Sequence, residues 1–185
     1  MIYRFAISLS LCATLAFQTP AYAEEKKEEN LIIGTVTRIY DGDTIGVTGD
    51  NGKFIRVQLA YIDAPDFEKG MKAPQPAYRE SMETLARMIM NKEVIVESFG
   101  PDKSGKVDGM VFLDAVEVNV EMVLKGMAEI YFPMRSNPSA YKKEYMDKLF
   151  EAEKTAKENK TGIWSDPNYV SPYTLRHKNP QPAAE

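Results

Sequence analysis

Residues 31–40 and 44–48 are rich in β-branched and apolar side chains, and Gly49-Asp50-Asn51-Gly52 makes a hairpin turn into a third run over 53–62. The first two runs are joined through Asp41-Gly42-Asp43. This pattern predicts a three-strand meander. Pro76 opens a stretch in which Tyr78, Met82, Leu85, Ala86 and Ile89 recur at helical spacing, ending near Asn91. Alternation with a period of two returns at 94–99, a turn rich in Gly, Lys and Asp follows over 100–106, and 110–113 gives a fifth strand. Residues 118–126 read as a short helix stopped by Gly126, and Asn137 or Ser139 can cap a long helix reaching Lys160. Five strands with one helix after the third, then two more helices, predict an α+β domain: a five-stranded OB-fold β-barrel with three helices.

The two ends read differently from this folded unit over 31–167. Residues 1–23 carry Arg4, an apolar run from Phe5 to Phe17, and Ala21 and Ala23 spaced A-x-A, the pattern of a secretory signal cleaved after Ala23. The apolar run is shorter than the ~20 residues that span a bilayer. Residues 24–30 form a charged tether without apolar side chains, expected to be disordered, and 168–185, with Pro172, Pro180 and Pro182, read as a loose tail. The expectation is a monomer exported to a bacterial periplasm or secreted, with no membrane partner after cleavage. The single cysteine, Cys12, falls in the signal, so the exported chain has no disulfide to form.

Charge narrows the functional classes. Of 23 basic residues one, Arg4, is in the signal, which leaves 22 against 27 acidic and a formal net charge of −5. A strongly basic nucleic-acid footprint is absent, although a local basic groove can exist on an acidic protein. The only histidine, His177, has no neighbouring residues at the spacing of a hydrolase triad or zinc site.

Five groups of residues carry candidate chemistry, in one order over 33–165. They are Tyr40-Asp41-Gly42-Asp43-Thr44, Ile62-Asp63-Ala64-Pro65-Asp66, Asp102-Lys103-Ser104-Gly105-Lys106, Val118-Asn119 with Leu124-Lys125-Gly126-Met127-Ala128, and Gly162-Ile163-Trp164-Ser165. At these spacings the set resembles the staphylococcal nuclease (thermonuclease-like) family along essentially the whole exported domain. The resemblance implies calcium-dependent cleavage of DNA or RNA phosphodiesters, in which a metal and two arginines bear on the phosphoryl oxygens and a glutamate positions or activates water. It also implies that Asp43 and Asp63 offer carboxylate oxygens to Ca²⁺ and Ala64 its backbone carbonyl, the hard donors calcium prefers. On their own terms, Asp43 reads equally as a turn residue bonding nearby amides and Asp63 as a cap at a strand end.

The catalytic positions depart from the family. Its first arginine lies five residues before the metal aspartate, where this chain has Gln58, a neutral amide. Its glutamate lies three residues after that aspartate, where this chain has Asp66, one methylene shorter. That shortening moves the carboxylate by ~1 Å, and such misplacements can cost ~100-fold. The second arginine corresponds to Lys106, which keeps the charge but loses the planar fork that matches phosphate. Arg56, on the same strand face ~6.6 Å from position 58, is a candidate for compensation, or else an ordinary exposed strand residue. Lys53 and Arg79 are less well placed. On the substrate side, Lys103 is a candidate phosphate contact, Ser104 stands where the family has a tyrosine, and Tyr131 and Phe132 are either pocket aromatics or core residues. Trp164 is expected as a buried anchor between the last helix and the barrel.

Two readings follow. One is a non-catalytic or strongly weakened binding module that holds single-stranded DNA or RNA weakly, or an unidentified protein or other anionic partner. The other is an active calcium-dependent nuclease using Asp66, Lys106 and Arg56.

Overall fold

The computed structural model describes residues 30–67 and 73–178. The expected signal, the tether up to residue 29 and residues 179–185 lie outside the described residues.

The meander is β1 (Leu31–Ile39), β2 (Thr44–Thr48) and β3 (Phe54–Leu59), each antiparallel to the next. A short strand, β4 (Ile62–Asp63), follows, and then helix α1 (Tyr78–Ile89). The chain returns as β5 (Glu93–Pro101), β6 (Val107–Leu113) and the two-residue β7 (Val116–Glu117). β5 lies antiparallel to both β1 and β6, and β6 runs parallel to β3, which closes five strands into a barrel. In β3 the inward side chains are Val57 and Leu59, both fully buried, so the alternation of a strand turns Arg56 and Gln58 together to the outside.

Helix α2 (Val118–Leu124), strand β8 (Glu129–Ile130), the five-residue α3 (Phe132–Ser136) and the long α4 (Lys143–Glu158) complete the expected unit. β8 pairs with β4, setting Asp63 opposite Glu129. Barrel residues Val36, Ile45, Val47, Val96 and Met110 join Leu85 and Ile89 of α1, Met122 of α2 and Leu149 of α4 in one core. The closing residue in the Gly162–Ser165 turn is Ile163, 2% exposed. Trp164, expected as that anchor, is only half-buried, its ring against Tyr169 and under the Lys157 ammonium, 4.3 Å from its centroid.

Three other expectations are corrected. The long helix starts after Lys142, because Asn137 and Ser139 belong to a connection containing a single 3-10 turn (Pro138–Ala140). Helix α1 buries Ser81 and Thr84 beside Leu85 and Ile89, since the Ser81 hydroxyl is spent on the Met127 carbonyl at 2.7 Å. The expected loose tail contains a fifth helix, α5 (Pro172–Lys178), packed on the domain.

Two sequence groups act as fasteners. Asn119 is wholly buried: its Oδ1 accepts the Val111 N–H at 2.9 Å and its Nδ2 donates to the Ala60 carbonyl at 2.8 Å, tying α2 to both sides of the barrel closure. Gly126 and Gly162 both have positive φ and meet face to face; a Cβ on Gly126 would stand 2.1 Å from the Thr161 carbonyl oxygen, and one on Gly162 the same distance from the Gly126 oxygen. The Ile163 N–H donates to that Gly126 oxygen at 2.9 Å, so no side chain fits between the end of α2 and the turn after α4.

Beneath β8, Glu153 of α4 is 3% exposed and accepts from the Ile130 N–H, Arg135 and Lys157. Burial pushes its carboxyl up, but these donors outweigh that and hold it below the usual range. Its neighbour Glu129, 7% exposed, is pushed up to about 7, chiefly by burial and then by Asp63 and Glu153, with the Ser171 hydroxyl and Arg135 opposing.

Asn119→Ala orphans the Val111 N–H and Ala60 carbonyl and leaves a void, so it is expected to cost roughly 3 kcal/mol and lower Tm by about 10 °C in thermal unfolding. Glu129 binds its proton more tightly in the folded state than in the unfolded one. Its contribution is therefore fully present below pH 4.5 and is lost as pH rises through 7, a change of roughly 3 kcal/mol. Glu129→Gln removes that dependence, and the Tm difference between variant and parent is expected to grow in the variant's favour from pH 5 to pH 8.

Candidate functional site

The closure of β3 on β6, the Asp41–Asp43 turn, β4 and the start of α3 enclose a cleft of about 800 Å³. Its lining includes Asp43, Gln58, Asp63, Ala64, Asp66 and Lys106, so the fold gathers in one place the residues that the family resemblance singles out. Arg56 and Tyr131 line it as well. Lys103 and Ser104 do not; they are exposed in the turn between β5 and β6, where Asp102 accepts from the Ser104 N–H and hydroxyl and the Lys106 N–H. Phe132 also lies outside the lining, half-exposed, its ring stacked on Tyr173 at 4.7 Å.

The carboxylates are placed by local structure. The Asp41 carboxylate accepts the Asp43 N–H at 3.0 Å, and a Cβ at Gly42 would stand 1.9 Å from Ser81 Oγ and 2.7 Å from the Ala64 Cβ, so only glycine lets this turn press against α1. Asp43, 8% exposed, accepts the Ala64 N–H at 2.9 Å, and the Thr44 hydroxyl lies 3.0 Å from its other oxygen. Burial first, then Asp41 and Asp63, push its carboxyl well up, against the Ala64 N–H. Asp63, 5% exposed, is pushed up by burial, opposed by Arg176, whose Nη2 donates to Oδ2 at 2.6 Å.

Positions 58, 66 and 106 are turned toward the protein itself. Lys106 Nζ donates to Gln58 Oε1 at 2.6 Å, and the Thr44 hydroxyl lies 3.0 Å from that same oxygen. Asp66 accepts from its neighbour, the Phe67 N–H, at 2.6 Å, while its own N–H donates to Gln75 Oε1 at 2.7 Å. Arg56 is exposed and lies over the Tyr40 ring, 4.1 Å from its centroid, at the mouth of the cleft. Lys53 and Arg79 are exposed outside the lining.

Calcium at Asp43, Asp63 and Ala64 needs several free oxygens converging on one point. Asp43 is engaged by Thr44 and Ala64 and Asp63 by Arg176, and among the described residues no group of three or more carboxylate, imidazole or thiol side chains converges in that way. As they stand, these residues do not fit a calcium ion.

Sequence reasoning missed two contributors. The first is a set of rings in the cleft lining: Phe99, the buried Tyr61, held at φ 70° and packed against Phe99 and Tyr141, and Tyr40 and Tyr78. The second is Arg176, from the segment read as a tail. Its one sequence signal is Ser171-Pro172, a serine that can cap a helix beginning on proline, and the Thr174 N–H does point to Ser171 Oγ at 3.4 Å.

Residues 56–166 match the family described as "Staphylococcal nuclease homologue". The chain is 33% identical over 148 residues to a protein of Escherichia coli named "Uncharacterized endonuclease", spanning 80% of this chain and 86% of that one. It is 31% identical over 178 residues to the "Micrococcal nuclease" of Shigella flexneri, spanning 91% and 90%. With "Endonuclease YncB" of Bacillus subtilis (strain 168) it shares 29% identity over 150 residues, spanning 79% and 68%. Family match, barrel topology and the gathering of the motif residues in one cleft agree: the chain belongs to the staphylococcal nuclease family.

Proposed function

We propose that the protein is a nucleic-acid-binding member of this family in which phosphodiester cleavage is strongly weakened. The observation that carries this is the pair at positions 58 and 106. Where the family has two arginines facing phosphate, a neutral amide here accepts the hydrogen bond of a lysine 2.6 Å away. Arginine contacts to a transferring phosphoryl group are worth ~10³ to 10⁵ in rate, so one missing guanidinium and one lysine diverted to an amide remove most of the charge stabilisation. Asp66, shorter than glutamate and bonded to its own loop, adds to the loss.

Binding is supported by the rings of the cleft. Phe99, 38% exposed, and the half-buried Tyr131 offer ring surface for unpaired bases, a contact that tolerates any base sequence, and Arg56 offers charge to the backbone. The acidic net charge argues for weak, salt-sensitive binding of single-stranded DNA or RNA by a monomer. The signal-like pattern of residues 1–23 supports export to a bacterial periplasm or beyond. The second reading, a retuned nuclease, is favoured by one observation: Arg56 lines the cleft and its guanidinium stands at the mouth.

Fluorescence anisotropy with a labelled single-stranded oligonucleotide is expected to show binding in chelator and in Ca²⁺ alike, weakened several-fold by Phe99→Ala. Cleavage of the same oligonucleotide is expected to be at least ~1000-fold slower than that of the family's active members under the same conditions. Absence of binding overturns the proposal. So does efficient calcium-dependent cleavage that Arg56→Ala abolishes, which establishes the retuned nuclease instead.

A further inference from the structure

Asp63 has a cation partner that comes from its own chain. Arg176 lies 113 residues further on, and its guanidinium donates to Asp63 Oδ2 at 2.6 Å with Nη1 4.0 Å from Asp66 Oδ2. The Arg176 side chain is 24% exposed and that of Asp63 7%, so this is a pair within the cleft and not a surface contact. The Tyr173 backbone N–H faces Asp63 as well.

The segment that delivers the arginine is seated at several points. The Tyr173 ring stacks on Phe132 and packs edgewise against Tyr131, 5.9 Å between centroids, and the His177 ring stacks on it at 3.9 Å. Gln75 Nε2 donates to the Val170 carbonyl at 3.4 Å, and the Ser171 hydroxyl meets Glu129. Phe132, a candidate substrate contact by sequence, is in this structure the seat of the helix that carries Arg176.

Charge explains why a cation belongs there. Asp41, Asp43, Asp63 and Asp66 line one cleft, and Asp43 and Asp63 are buried in it. Buried carboxylates this close need positive charge or must give up ionisation. Lys106 is bonded to Gln58 and Arg56 lies over Tyr40. A divalent ion needs oxygens of the same Asp63, and with Arg176 in place it would stand a few ångströms from a guanidinium in a poorly solvated site, where like charges repel strongly.

We propose that Arg176 is the resident cation of this carboxylate cluster, and that α5 acts as a strap which must withdraw from Asp63 before a divalent metal binds there. The inference rests on the Asp63–Arg176 pair and not on the reading of the protein as a weakened nuclease, since it concerns metal affinity whether or not cleavage occurs.

The test is calorimetric titration of Ca²⁺ into the full protein and into Arg176→Gln, Arg176→Lys and Tyr173→Ala, with far-UV circular dichroism to verify the barrel and calcium-induced shifts in Tm as a second readout. Arg176→Gln is expected to bind Ca²⁺ at least ~10-fold more tightly than the parent and to gain a Tm increase with Ca²⁺ that the parent lacks. Arg176→Lys, which keeps a tethered cation, is expected to stay near the parent. Tyr173→Ala retains the arginine but unseats the helix, so it is expected to move toward Arg176→Gln, and it carries the test if Arg176→Gln does not fold. Calcium affinity that is unchanged or weaker in Arg176→Gln and Tyr173→Ala overturns the proposal. None of these readouts depends on cleavage, so failure here and failure of the functional reading are told apart.

Discussion

The parallel pairing of β3 with β6, Val57 to Val107, Gln58 to Asp108 and Leu59 to Gly109, is the contact on which the rest of the molecule hangs. Without it the five strands are an open, curled sheet whose two edges expose unpaired backbone groups. With it, Val57 and Leu59 seal the core while the other face of the same strand presents Arg56 and Gln58 to the cleft. The pairing also brings Lys106, at the foot of β6, within reach of Gln58, and it gives Asn119 its two anchoring points, one on each closing strand's continuation. Core and cleft are two faces of one register.

On that frame the positions fixed by close packing are distinct from those that face the cleft. The turn glycine at 42, the paired glycines at 126 and 162 and the buried Asn119 all answer to close packing. Positions 58, 66 and 106 answer to charge and reach, and each holds a side chain that its neighbours absorb: lysine on amide, aspartate on its own loop. The cleft that results is rich in aspartates and rings, with Lys106 and Arg176 held by contacts within the protein.

Much of this was legible in the sequence. β-strand alternation and the turn glycines located four of the five barrel strands to within about three residues and the fifth, β6, by its second half, and the residues Asp43, Asp63, Gln58 and Lys106 of the ordered short motifs line one cleft. What escaped was carried by long-range contacts. Ser81 and Thr84 look solvent-facing until the Met127 carbonyl and the turn at Gly42 are known to lie against α1. Trp164 is the conspicuous residue of its turn, yet Ile163 fills the core because the Gly126 carbonyl fixes its backbone. The last segment has prolines and polar residues and too few apolar positions to declare a helix, so periodicity was silent. Its structure is specified by ring stacking on Phe132 and an ion pair spanning most of the domain.

The union of Arg176 with Asp63 is intramolecular, and that alters its arithmetic. A group held on the same chain by a short, seated segment presents itself at an effective concentration of ~mM or above, whatever the composition of the surroundings. A dissolved ion must compete from its bulk concentration, whereas the guanidinium has already surrendered most of its freedom when the chain folded. A dissolved ion reaches Asp63 only at the expense of that tethered contact.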